Sequence, residues 1–190
     1  IFLTYANLLA RRGHDVTILV RSRNTIRRNI ANFLQIGKPT WIHNFRPKTI
    51  RTSEWKNHDF SSYEALIATS VSTALFLKDA TKGFSGRKYY LVQHDEGLYH
   101  EERNRADEAL RSPLKKIVVS SWLKEVVKSH DFRNPLLLLN STDLELFHPL
   151  PREPHKEIRI LLLHHSYEWK GTKEGIKIVR ELKKQYPDIR

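Results

Sequence analysis

The sequence predicts an α/β fold in which helices cover both faces of a mostly parallel sheet. Short apolar runs alternate repeatedly with segments of helical periodicity along the chain. The runs are nearly continuous in Val, Ile and Leu, as expected of strands that are buried on both faces. A proline-rich stretch near 149–157 interrupts the alternation and indicates a domain boundary. We therefore expect one domain over residues 1–150 and the beginning of a second over residues 151–190.

In the N-terminal part we expect a helix and a strand, followed by a long basic segment. Helix 2–12 has an apolar face, formed by Phe2, Tyr5, Ala6, Leu9 and Ala10. Gly13 provides its end, and strand 15–20 follows. Residues 21–59 are basic and aromatic, and only a helix over 25–35 and a short strand near Trp41 are expected there.

Further apolar runs predict strands with helices between them. The strands are 65–69, 89–93, 116–119 and 136–139, and the helices are 72–80, 101–110 and 122–130. Ser121 is expected to cap the last of these helices. The run 158–163 is apolar except for Arg159 and predicts a mostly buried strand.

The last segment predicts a helix with a phosphate site at its start. Its apolar face comprises Gly175, Ile178, Val179, Leu182 and Tyr186. Thr172 is the expected N-cap, and Glu174 lies in the first turn, where the helix dipole favours an acid. Lys170 lies beside Gly171 in the loop before the helix, so that its ammonium and the free N–H groups can hold a phosphate. An ordinary loop with a solvated lysine explains the same residues.

Composition limits the class of partner. The 190 residues carry a formal net charge of +12, which favours anionic partners such as nucleotides, lipid diphosphates, phospholipid surfaces or nucleic acid. The chain has no cysteine, which excludes disulfides and thiolate metal sites, and no apolar run long enough to span a membrane. It also lacks methionine and opens directly in a helical pattern, so we expect it to be an internal part of a longer protein.

Ligands of open α/β sheets bind at the carboxyl ends of the strands. That rule selects 21–22, 69–70, 93–95 and 164–171. His94 is the best catalytic candidate, because it follows an apolar strand and its imidazole can exchange hydrogen bonds with a hydroxyl-rich substrate. A histidine that satisfies loop carbonyls is the alternative. His94, Asp95, Glu96 and His100 also resemble a metal site, although no histidine pair has helical ligand spacing.

The basic and aromatic residues of the N-terminal part leave another class of partner open. Arg27 and Arg28, together with the cations of 38–56, are interleaved with Trp41, Phe45 and Trp55. Such a pattern can bind single-stranded nucleic acid by stacking. A solvated loop, or a loop facing an anionic membrane, explains it as well.

Several segments resemble, in the same order, the motifs of family 4 glycosyltransferases with the GT-B fold. They are RRGHDVTILV (11–20), YEALIATSVSTA (63–74), KYYLVQHDEGLY (88–99), IVVSSWLKEV (117–126), NSTDLELFHP (140–149) and LLLHHSYEWKGTKEG (161–175). The resemblance covers nearly the whole chain. It implies a Rossmann-like, acceptor-side N-terminal domain whose first strand is missing, and the start of a second Rossmann-like domain that binds a nucleotide sugar.

The resemblance also implies the chemistry of the site. Lys170 would neutralise the donor diphosphate as its bond to the sugar breaks, and Gly171 would allow the backbone to approach the phosphates. His165 stands where the family often has an arginine. His94 would contact the donor sugar near the reacting centre. Ser120, Asn140 and Asp143 would shape the donor site and the hinge, with Asp143 also suited to a turn; no metal or other cofactor is implied.

The implied reaction moves a sugar from a nucleotide-sugar donor to a saccharide or lipid-linked acceptor. Such a reaction suits cell-surface polysaccharide or glycolipid synthesis in the cytoplasm, with peripheral contact at the inner face of the cell membrane. The family's upstream Gly-rich loop and downstream glutamate pair are missing, so we expect these residues to be inactive alone. A non-catalytic GT-B relative and a basic nucleic-acid-binding α/β protein are the alternatives. We expect no nucleic-acid partner, because Tyr89, Tyr90 and Trp122 lie beside apolar positions.

Overall fold

The computed structural model describes residues 1–22, 29–30, 39–80, 83–98, 103–142, 144, 147–151 and 158–190; at residue 169 it describes only the backbone. The chain divides into two compact units, Ile1–Ser141 and Thr142–Arg190. The division therefore falls before the proline-rich stretch at which the sequence placed it. The predicted helix 25–35 lies mostly outside the described residues, although Asn29 and Ile30 are helical.

The described residues form five α-helices and six strands, which alternate from β3 onward. The helices are α1 (Phe2–Arg11), α2 (Val71–Ala80), α3 (Arg103–Arg111), α4 (Ser121–His130) and α5 (Thr172–Gln185). The strands are β1 (Thr17–Arg21), β2 (Lys48–Thr52), β3 (Ala65–Ala68), β4 (Arg87–Val92), β5 (Lys115–Val118) and β6 (Leu136–Leu137). None of these helices is long and apolar enough to span a membrane.

Every strand pairing in the described chain is parallel. β1 pairs with β2, and a separate sheet has the order β3-β4-β5-β6. Consecutive residues of β4, Tyr90, Leu91 and Val92, are all buried, which requires packing on both faces of the sheet. The helices α2, α3 and α4 contribute Leu77, Ala109 and Leu123 to the same core. The predicted α/β class with parallel sheets is confirmed and is compatible with a Rossmann-like fold.

The basic segment folds differently from its prediction. The expected strand near Trp41 is wrong, since residues 40–44 form turns and Trp41 is 68% exposed. A strand forms instead over Lys48–Thr52, where only one residue is a large apolar one. Its parallel ladder with β1, from Thr17↔Lys48 to Arg21↔Thr52, stabilises a sequence whose own pattern is weak.

The first helix also differs from its predicted face. Phe2 and Leu9, two members of that face, are exposed, whereas Asn7 is buried. The side-chain oxygen Oδ1 of Asn7 accepts a hydrogen bond of 2.9 Å from the Arg46 backbone N–H. Gly13 has φ +94°, the left-handed conformation expected of a glycine that ends a helix.

In the second unit, the apolar segment 158–163 is extended but is not a strand. Its ladder-type bonds within the described residues run to Arg190, whose N–H donates to the Ile158 carbonyl at 3.0 Å and whose carbonyl accepts from the Ile160 N–H at 2.8 Å. Leu161 is 97% and Leu163 86% exposed, so the prediction of a mostly buried strand is wrong. Burial requires neighbouring strands and a second covering layer, neither of which is present in the described part of this unit.

One face of α5 packs on that extended segment. The face is formed by Gly175, Val179 and Leu182, which are half-buried, while Ile178 and Tyr186 are exposed. A Cβ at Gly175 would lie 2.7 Å from a terminal carbon of Leu162, so a larger residue there would require that side chain to move.

Candidate functional site

The carboxyl edge of the four-stranded sheet collects most of the first unit's predicted site residues. Because β3, β4, β5 and β6 are parallel, the residues that follow them lie along one edge. His94 follows β4, Ser120 follows β5 and Asn140 follows β6. Asn140 and His94 are exposed there, and Ser120 is half-buried. Asp143 and His100 lie outside the described residues.

The loop after β4 is anchored on both sides of His94. The Gln93 amide donates a 3.1 Å hydrogen bond to the Thr69 carbonyl. Asp95 is buried, and its Oδ1 accepts from the Gly97 N–H at 3.0 Å. The buried carboxylate also lies 3.6 Å from the Arg103 guanidinium. Residues on either side of His94 are therefore fixed, while the imidazole between them faces solvent.

Sequence reasoning missed the ion pairs that support this loop. Arg103 lies 3.3 Å from Asp107 one turn along α3, and Asp107 in turn lies 3.1 Å from His130 Nε2. The ring nitrogen Nδ1 of His130 lies 2.9 Å from the Val126 carbonyl. The two ring nitrogens thus link the C-terminus of α4 to α3. The i,i+4 spacing of Arg103 and Asp107 was the available sequence signal; the contact with His130 had none.

Most N–H groups at the start of α2 already have acceptors within the protein. The N–H groups of Thr69 and Ser70 both donate to Thr73 Oγ1 at 3.0 Å, and the Val71 N–H donates to Glu96 Oε1 at 2.9 Å. The Tyr90 hydroxyl donates to the same Glu96 oxygen at 3.3 Å. Burial, reinforced by the Glu96 charge, raises the pKa of Tyr90, so its phenol stays protonated and remains a donor. The protein's own oxygens thus occupy most of the N–H groups at this helix terminus.

Ser120 is the N-cap of α4. Its Oγ accepts a 3.2 Å hydrogen bond from the Leu123 N–H, and its backbone is extended, as a capping position requires. The prediction that Ser121 caps this helix is wrong, because Ser121 is already its first helical residue. The Ser120 hydroxyl still has its own proton to donate toward the edge of the sheet.

The start of α5 in the second unit is different. Gly171 precedes the helix with φ +71°, and no side chain caps the helix. The Gly175 N–H donates to the Gly171 carbonyl at 2.9 Å, so the N–H groups of residues 172–174 lack intrahelical acceptors. The left-handed φ gives Gly171 a conformational role in addition to the close approach expected from the sequence.

Thr172 does not cap α5 but holds the preceding loop. Its Oγ1 accepts from the His165 N–H at 2.9 Å and donates to the His165 carbonyl at 3.1 Å. The prediction of Thr172 as N-cap is therefore wrong, because its side chain reaches back to the loop. The loop then passes through a short 3₁₀ turn, Glu168–Lys170, which presents Lys170 at the helix start with an exposed side chain.

His165 is a neutral donor in this loop. Its Nδ1 accepts a 3.1 Å hydrogen bond from the Tyr167 N–H, and the two rings lie 4.8 Å apart. An accepting Nδ1 leaves the proton on Nε2, which is then one neutral N–H donor. Lys173, the next cation, lies 3.0 Å from Glu168.

Two further features bear on what the site can bind. Within the described ranges, no group of three or more histidine, aspartate or glutamate side chains could hold a metal ion. The aromatics of the basic segment do not share a surface, since Phe45 is buried and Trp55 is half-buried under the Arg21 guanidinium, 5.1 Å from its ring centroid.

No family model, no curated protein and no solved structure matches this chain.

Proposed function

We propose that this chain is part of a glycosyltransferase of the GT-B type that transfers a sugar from a nucleotide-sugar donor to an acceptor hydroxyl. The observation that carries the proposal is the uncapped start of α5 beside Lys170. A lysine and several unpaired N–H groups at one helix terminus suit a diphosphate. The motifs at 11–20, 63–74, 88–99, 117–126, 140–149 and 161–175 support the assignment to family 4.

On the donor side, the loop before α5 provides positive charge where negative charge develops. When the bond between sugar and diphosphate breaks, the leaving diphosphate gains charge, which Lys170 and the N–H groups of residues 172–174 would stabilise. Gly171 brings the backbone into the left-handed turn that starts the helix. His165 would add a neutral Nε2–H donor in place of an arginine. No metal ion is needed when protein cations take this role.

On the acceptor side, His94 would contact the reacting sugar from the carboxyl edge of the sheet. Its anchored neighbours Gln93 and Asp95 limit the loop's freedom, which favours a fixed imidazole position. Ser120 and Asn140 follow neighbouring strands and would donate to sugar or phosphate oxygens. Asp143 keeps its proposed role in the hinge.

The acceptor we propose is a saccharide or a lipid-linked saccharide used for cell-surface polysaccharide or glycolipid synthesis. A net charge of +12 favours peripheral contact with the anionic inner face of the cell membrane. The enzyme would then work in the cytoplasm at that surface.

Binding of nucleoside diphosphates tests the donor side directly. Titration calorimetry with UDP and GDP on the 190-residue chain should show binding that Lys170→Ala weakens about tenfold or more, since a charge-assisted hydrogen bond contributes about 1.5–3 kcal/mol. Lys173→Ala is the matched control, because it removes a cation three positions away that already pairs with Glu168. Equal weakening by both substitutions, or no binding of either nucleotide, would contradict the proposal.

Turnover tests the reaction itself. In the full-length protein supplied with nucleotide sugars, His94→Ala should abolish most transfer while leaving diphosphate binding intact. Binding without transfer by the unsubstituted protein would instead identify a non-catalytic relative of these enzymes.

A further inference from the structure

A cationic cleft lies at the edge of the four-stranded sheet opposite to His94, where β5 and β6 begin. The helix-to-strand loops α3–β5 and α4–β6 form it, and it encloses a volume of about 300 Å³. Lys115, Lys116, Asp131, Arg133 and Asn134 line it together with apolar residues. Its position at the amino ends of the strands separates it from His94, Ser120 and Asn140.

The charged side chains of the cleft are held in place by hydrogen bonds. Lys116, only 3% exposed, donates through Nζ to the Ser112 carbonyl and to Asp131 Oδ2, the latter at 2.7 Å. Arg133 donates to both Asp131 oxygens, at 2.9 and 2.8 Å. Its guanidinium also donates to the carbonyls of Ser112 and Pro113, at 2.7 and 3.0 Å, and its backbone N–H donates to Asp131 Oδ1 at 3.1 Å. These bonds fix two cations on one carboxylate in a partly desolvated place.

Positive charge and donors remain after these bonds are counted. Lys115, Lys116 and Arg133 against Asp131 leave the lining with a net charge of +2. An ammonium has three N–H donors and a guanidinium five, so Lys116 and Arg133 each keep one donor without an acceptor among the described residues. Lys115 is exposed beside them, and the Asn134 amide adds neutral donors.

We propose that this cleft binds a small, soluble phosphomonoester, with the phosphate between Lys115, Lys116 and Arg133. A phosphate dianion matches the net charge of +2, and Arg133 can offer it a planar N–H donor. A volume of about 300 Å³ is at the small end of ligand sites and leaves room for a body the size of glycerol or one sugar. The ligand would also relieve the repulsion between Lys116 and Arg133, which adds to the burial that lowers the pKa of Lys116.

The test is an amide NMR titration of the 190-residue chain with glycerol 2-phosphate and with inorganic phosphate. The Lys170→Ala background separates this cleft from the proposed donor site, so that either proposal can fail alone. We expect saturable shifts confined to the loops 112–116 and 131–135. Lys115→Ala should weaken binding about tenfold, because it removes one charged contact without touching the buried bonds. Lys128→Ala, an exposed lysine of α4 paired with Glu125, is the control and should change the affinity less than twofold.

Several outcomes would overturn the proposal. One is the absence of saturable shifts in these loops. Another is equal weakening by Lys115→Ala and Lys128→Ala, which would identify nonspecific attraction to a basic protein. A third is binding to phosphatidic-acid vesicles, measured by flotation, without any response to the soluble phosphomonoester, since the phosphate would then belong to a lipid headgroup.

Discussion

Replacing Asp131 with asparagine would leave two cations of the first unit without their counterion. Asp131 is 8% exposed, and its carboxylate accepts from Lys116 Nζ at 2.7 Å and from Arg133 at 2.9 and 2.8 Å. An asparagine has nearly the same size, so the substitution removes the charge and one acceptor while preserving the packing. Lys116 is only 3% exposed within β5, so little solvent can replace the lost counterion.

The structure gives the size of the expected effect. Breaking a buried ion pair by removing one partner costs about 3–5 kcal/mol, because an uncompensated charge stays buried. The lowered pKa of Asp131 points in the same direction. Burial alone would raise it, but hydrogen bonds from Arg133 and Lys116 outweigh burial and lower it from 3.8 to about 2. At 1.36 kcal/mol per pKa unit, the ionised carboxylate contributes roughly 2 kcal/mol.

The sign of the pH dependence follows from this lowered pKa. The contribution of Asp131 is present above the unfolded-state pKa of 3.8 and is lost as the pH falls toward about 2. Urea unfolding followed by circular dichroism should therefore show Asp131→Asn less stable by about 3–5 kcal/mol at pH 7. The difference from the unsubstituted chain should shrink by roughly 2 kcal/mol between pH 4 and pH 2.

A matched surface pair provides the control. Glu125→Gln breaks a 3.0 Å ion pair with Lys128, in which the lysine side chain is 43% and the glutamate side chain 69% exposed. This substitution should lower the free energy of unfolding by less than about 1 kcal/mol. If Asp131→Asn cost no more than this control, or if its effect were the same at pH 7 and pH 2, the cluster would not hold these loops as we infer.

Two pairs of substitutions test the N-cap of α4 and the left-handed turn before α5. Ser120→Ala should destabilise the first unit by about 1 kcal/mol in thermal unfolding, whereas Ser121→Ala should stay within about 0.5 kcal/mol; the reverse order would place the cap at Ser121 after all. Gly171→Ala should cost about 1–2 kcal/mol in the second unit, because its φ of +71° strains an alanine although nothing lies within 4 Å of the added Cβ. Gly83→Ala, which is equally open and has no left-handed φ, should be nearly neutral, and equal effects at both glycines would refute this reading.

Much of the first unit's fold could be predicted because its elements are locally encoded. Helix 122–130 and strand 116–119 were predicted within a residue of their observed bounds, since apolar period and run length specify them without distant partners. The strand Lys48–Thr52 could not be predicted, since its ladder with β1 arises only when the chain returns to that edge.

The candidate site, too, could be predicted from the sequence only in part. Parallel strands put their carboxyl ends on one edge, so the order of strands and loops already brought His94, Ser120 and Asn140 together. Which N–H groups at this edge can still bind a ligand depends on contacts between residues that are distant in the sequence. Glu96 accepts from the Val71 N–H at the start of α2.

The sequence by itself determined the α/β class, the helices 72–80 and 122–130 to within a residue, and the loop that presents Lys170 before α5. The tertiary structure alone decided that Lys116 lies buried within β5 and that Asp131 and Arg133 hold it. The physical reason is that apolar periodicity records which face of an element leaves water. The burial of a charge depends instead on counterions and carbonyls brought by other loops, and such long-range partners leave no periodic trace in the chain.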